Sequence, residues 1–93
     1  MIESFTCRDT AALWQGKRCR RFPADIQSRA LQKLILLHSA SRLENLRIPP
    51  SNRLELLKGN RAGQHSIRIN DQWRICFRWT GTHAAGVEIV DYH

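Results

Sequence analysis

Ninety-three residues make a single domain, because a stable core usually takes on the order of 50–200 residues. The chain holds 12 arginines and 3 lysines against 8 acids, a formal net charge of +7 and a pI near 10.4. With 42% hydrophobic residues it reads as neither a disordered tail nor a membrane protein, and no apolar run approaches the roughly 18 residues of a bilayer span. Met1–Cys7 is too short and too polar for a signal peptide, and a chain this small has little volume for a deep small-molecule pocket once its core is filled.

Cys7, Cys19 and Cys76 form no CxxC pair and no ligand cluster with the four histidines. An odd count at irregular spacing points to free thiols in a reducing cytoplasm, with neither a disulfide framework nor a metal site. A cytoplasmic chain this basic is expected to meet a polyanion. The excess of Arg over Lys suits bidentate contacts to phosphate.

In chain order, Ile2–Phe5 alternates as a short edge strand, and residues 9–15 form a weak helix ended near Gly16. A basic stretch follows, with Lys17, Arg18, Arg20 and Arg21. Pro23 fits the first position of a second helix with Asp25 in its first turn. Ile26, Ala30, Leu34 and Leu37 fall at helical spacing to about Ser39, while Gln27, Gln32 and Lys33 lie mostly on the other side. Ser41 caps one further turn carrying Leu43 and Leu46, and Pro49-Pro50 ends it.

Beyond the prolines the period becomes two. Residues 53–57 read as a strand and 58–63 as a turn. His65, Ile67 and Ile69 alternate with polar residues, as do Trp73, Ile75, Phe77 and Trp79, then Val87 and Ile89. Two N-terminal helices packed on an antiparallel sheet of three or four strands make an α+β domain.

Residues directly opposed across an antiparallel pair share a face. A three-residue loop at Asn70–Gln72 opposes Ile67 to Ile75 and Arg68 to Arg74. In the next hairpin, opposing Phe77 to Ile89 places Arg78 against Glu88 and Tyr92 across from Arg74. One face then packs on the helices while the other gathers Arg68, Arg74 and Tyr92, with Arg78 and Glu88 as an ion pair.

Guanidinium groups beside a phenol suit a phosphodiester, because Arg grips both non-bridging oxygens and stabilises the charge that grows on them. RNA supplies its own nucleophile in the 2′-hydroxyl, so cleavage asks the protein only for a base, a cation and an acid. Tyr92, His93, Asp91, Glu55 and Lys58 are the titratable groups available. Plainer readings stand beside these: solvated charges at Arg68, Arg74 and Arg78, a sheet-closing Tyr92, a frayed His93 and a solvated run at 17–21. His38 and His83 read as surface residues and His65 as packing. Trp73, Phe77 and Trp79 read as core rather than as base-stacking platforms.

The segments Leu57-Lys58-Gly59-Asn60-Arg61-Ala62-Gly63, Trp73-Arg74-Ile75-Cys76-Phe77 and Asp91-Tyr92-His93, with the opening Met1–Phe5, resemble HigB toxins, the plasmid-maintenance-killer branch of the RelE superfamily. The resemblance spans essentially the whole chain. It implies a RelE-like fold, the toxin role in a type II toxin–antitoxin system, and cleavage of mRNA in the A site of the 70S ribosome without a cofactor. It also implies a HigA-type helix-turn-helix antitoxin, through which alone the toxin would reach operator DNA. By position it assigns Arg74 to the scissile phosphate, and Asp91, Tyr92, His93 and Lys58 to the catalytic set. Arg68 and Arg61 are expected to position the RNA backbone, with Lys17, Arg18, Arg20 and Arg21 on ribosomal RNA. Many family members carry histidine where this chain has Glu55. That acid is either a base or a strand residue paired to an arginine, so a weak or inactive RNA-binding partner of the antitoxin is the alternative function.

Overall fold

The computed structural model describes residues 1–91. Helix α1 spans Arg8–Trp14 and α2 spans Ala24–Ser39. Gly16, at φ +86°, ends α1 in a left-handed turn where the Gly16 N–H reaches the Leu13 carbonyl and the Lys17 N–H reaches that of Ala12, both at 3.0 Å. Ile26, Ala30, Leu34 and Leu37 of α2 are all buried, as their spacing requires. A 3₁₀ turn follows at Leu43–Arg47. Asn45, not Ser41, closes it: Asn45 Oδ1 accepts the N–H groups of Ser41 at 3.1 Å and Arg42 at 3.0 Å.

Four strands, β1 (Glu55–Leu56), β2 (His65–Arg68), β3 (Trp73–Trp79) and β4 (Ala84–Asp91), form one antiparallel sheet in that order. β1 is shorter than the expected 53–57 because Arg53 adopts a left-handed conformation at φ +46°. Residues 2 and 5 do not form a strand of their own but lie parallel on the outer edge of β4 as single bridges, Ile2 to Ala84 and Phe5 to Val87. The helices cover one sheet face, where Ile67, Trp73, Ile75, Phe77, Val87 and Ile89 join the core. Phe22 meets Trp73 edge-on at 5.6 Å. His38 is no surface residue: its Nδ1 accepts the Ile2 N–H at 3.1 Å and its ring lies 5.2 Å from Trp14.

The β2–β3 register is the one the loop length demands, with Ile67 opposite Ile75 and Arg68 opposite Arg74. In β3–β4 it departs from expectation. Arg74 faces Val90 rather than residue 92, Ile75 rather than Phe77 faces Ile89, and Cys76 faces Glu88. The strand starts earlier than its hydropathy suggests, with Ala84 already opposite Trp79. A bulge then sets Gly86 and Val87 against Phe77 alone, Gly86 taking φ +61°. Over Arg74–Cys76 the slip is an even number of residues, so faces are kept while partners change.

Candidate nucleic-acid interface

On the face away from the helices, register brings Glu55 of β1, Ser66 and Arg68 of β2, and Arg74 of β3 together. Arg74 is only 8% exposed, so its charge must be met by fixed partners. Its Nε donates to Ser66 Oγ at 2.8 Å and its Nη2 to the Arg53 carbonyl at 2.6 Å. The Glu55 carboxylate stands 3.8 Å from Nη2. Glu55, read from the sequence as either a base or an arginine-paired strand residue, thus stands beside an arginine on β1. Neither Ser66 nor the Arg53 carbonyl was singled out from the sequence, although the alternation of β2 already put Ser66 on this face. The left-handed Arg53 had no such signal.

Arg53, Arg68 and Arg74 line one concavity of about 200 Å³ with Asn70 and Asp71. Arg68 is paired to Asp71. Arginines thus outnumber the acids at this mouth, and a phosphate fits the balance. Lower on the same face, Leu57, Cys76 and Val90 form a small buried apolar cluster. Burial pushes the Cys76 thiol pKa up, against the opposing pull of Arg61, so it stays a neutral packing group.

The remaining candidates are dispersed. Arg61 Nη1 donates to Glu88 Oε1 at 2.7 Å and to Gln64 Oε1 at 3.2 Å. This replaces the expected Arg78–Glu88 pair, which the bulge separates; Arg78 is exposed and in no ion pair among the described residues. Lys58 is exposed just before the Gly59–Arg61 turn. Asp91 faces Trp73, not Arg74, across the strand pair and accepts from Gln72 Nε2 at 3.1 Å. Tyr92 and His93 lie outside the described residues. Lys17, Arg18, Arg20 and Arg21 are exposed on the α1–α2 connection, whose Cys19 and Phe22 sit in the helix-side core. Arg21 is already engaged with Asp9 at 3.6 Å and with the Cys7 sulfur at 3.3 Å. Among the described residues, no three His, Cys, Asp or Glu side chains converge as a metal site, and no helix is long and apolar enough to cross a membrane.

Residues 10–93 match the HigB-like toxin family, described as a RelE-like toxin of type II toxin–antitoxin system HigB. The chain belongs to that family. This HigB-like chain is also 46% identical over 63 residues to Toxin HigB-1 of Vibrio cholerae serotype O1, a match covering 68% of the chain and 66% of that relative. It thus spans just under two thirds of that protein's length. Two solved structures share its fold. YafQ from E. coli strain BL21(DE3) superposes with a TM-score of 0.56 at 12% identity, covering 98% of this chain and 93% of YafQ. The YoeB–YefM complex from Staphylococcus aureus gives 0.57 at 15% identity, covering 100% of this chain and 98% of the matched one. The expected α+β architecture of two N-terminal helices on an antiparallel sheet is RelE-like.

Proposed function

We propose that this HigB-like toxin is a ribosome-dependent mRNA endonuclease, acting in the cytoplasm and neutralised by a HigA-type antitoxin. The observation that carries the reading is the buried Arg74, held by Ser66 and Arg53 at a concavity it shares with two further arginines. A guanidinium fixed before substrate arrives stabilises a phosphorane without reorganising. The 2′-oxygen of the RNA attacks the adjacent phosphorus and loses its proton. The bond to the 5′-oxygen then breaks, leaving a cyclic phosphate and a 5′-hydroxyl. The final Tyr92 and His93 are the proton carriers in this reading, with Asp91 beside them and Lys58 and Arg68 on the backbone. The antitoxin alone would bring the complex to operator DNA.

Mapping the 5′ ends of cellular mRNA before and after induction tests this. New ends are expected within coding regions, and they vanish in Arg74→Ala and on deletion of Tyr92-His93. Unchanged cleavage in both variants rejects the site. A second reading, an RNA-binding partner of the antitoxin that does not cut, rests on Glu55 beside Arg74. It expects salt-sensitive RNA binding and no new ends.

A further inference from the structure

Next to the Arg74 concavity lies a second, larger one of about 260 Å³, lined by Arg29, Lys33, Ser51, Arg68 and Ile69. Arg68 lines both, so the two concavities adjoin at that side chain, one beside the β2–β3 turn and the other against α2. Arg29 and Lys33 stand one helical turn apart on α2, a spacing at which like charges repel. Among the described residues no carboxylate comes within 4.0 Å of either. The partners they do have are neutral oxygens. Arg29 Nη1 donates to the Ile69 carbonyl at 3.4 Å, and Lys33 Nζ donates to Asn52 Oδ1.

Asn52 is wholly buried. Its amide nitrogen donates to the carbonyls of Leu46 at 3.1 Å and Ile48 at 3.3 Å, which turns its oxygen toward the lysine. The ammonium is thus held in place at the wall of this concavity. An ammonium has three donors, and among the described residues only Asn52 accepts from this one. Partial burial and the nearby Arg29 both lower the Lys33 pKa from its ordinary value, the direction expected of a cation without a counter-charge, which an arriving anion would supply. Lys33 had read as a residue on the solvent side of α2; it is half-buried against the 3₁₀ turn at Pro50–Asn52.

We propose that Arg29 and Lys33 form a second phosphate subsite, which binds an RNA phosphodiester neighbouring the one at Arg74. This rests on the reading of the Arg74 concavity as an RNA site, and the shared Arg68 favours one strand occupying both. The test uses short RNAs carrying a 2′-O-methyl group at each position, which blocks attack by the 2′-oxygen, so that binding is read without cleavage. Arg29→Gln/Lys33→Gln is expected to weaken a tetranucleotide several-fold and to reduce its log–log salt slope by about 0.7, the value for one single-strand phosphate contact. A dinucleotide, with one phosphodiester, is expected to bind the variant and the wild type alike.

Arg29 is exposed, so Arg29→Gln alone supports the test should the double variant melt early. Sedimentation with message-free 70S ribosomes separates the two sources of RNA: loss there alone assigns the subsite to ribosomal RNA, loss with the tetranucleotide to the message. Unchanged salt slopes in both arms overturn the subsite, while Arg74→Ala weakening the dinucleotide keeps the Arg74 reading intact. Wild-type protein that binds RNA but yields no new message ends removes the cleavage reading and leaves the subsite standing.

Discussion

The Arg74 guanidinium reaches across the width of β2 to stand 3.8 Å from the Glu55 carboxylate. A phosphate entering the concavity must share that guanidinium with an acid. Because the Glu55 side chain is 52% exposed, the pair is screened by water and worth at most about 1 kcal/mol. Glu55→Gln is therefore expected to tighten RNA binding by up to about fivefold and to leave cleavage in place. Fluorescence anisotropy with a short RNA at low salt reads the first effect and message-end mapping the second. Loss of cleavage with tightened binding would instead make Glu55 the base.

Arg74→Lys keeps the charge but cannot serve Ser66 and the Arg53 carbonyl in the geometry of a guanidinium fork. Cleavage is expected to fall by about 10²–10³-fold. Stability should drop by roughly 1–3 kcal/mol from the polar groups left unmet, which urea unfolding measures independently.

Gly86 takes φ +61°, and a Cβ there would sit 3.3 Å from Thr6 Cγ2 and 3.4 Å from an Arg78 nitrogen. Gly86→Ala combines the left-handed cost of about 1–2 kcal/mol with displacement of the Thr6 side chain. Denaturant titration should show that loss, with RNA affinity little changed because the bulge is remote from Arg74 along β3.

His65 stacks on Phe77 at 6.2 Å, and its Nδ1 is buried without a hydrogen-bond partner among the described residues. Burial lowers its pKa below the ordinary 6.5. As pH falls through about 6.5 the unfolded chain takes up a proton before the folded one does, so stability is lost on acidification until the lower folded value is passed. His65→Phe should flatten this dependence, compared by unfolding midpoints at about pH 7.5 and about pH 5.

How far the sequence could be read depended on what set each element. The Asn70–Gln72 loop has one length, and its Asn70 Oδ1 accepts the N–H groups of Gln72 at 2.9 Å and Trp73 at 2.8 Å. Parity alone therefore put Arg68 opposite Arg74. Counting failed in the following hairpin because Ala84, Ala85 and Gly86 lack the bulky side chains that mark a strand, yet they pair, and Gly86 adds the extra residue. Glu88 consequently meets Arg61 rather than Arg78. Lys33 was hidden for another reason. Helical spacing reports the side of α2 that faces the sheet, but the chain after Pro50 returns to cover part of the other.

The outer edge of β4 is bonded to the opening segment: the Glu3 N–H reaches the Ala84 carbonyl at 2.7 Å, and the Gly86 N–H reaches Ser4 Oγ at 2.9 Å across 82 positions of chain. Loop closure over such a separation is a late and entropically demanding event in folding. A polypeptide halted before residue 84 would lack the rail on which its own first residues dock. A translation product cut short there would also lack β4, whose Val87 and Ile89 belong to the core, and is expected to be inert debris rather than a crippled toxin.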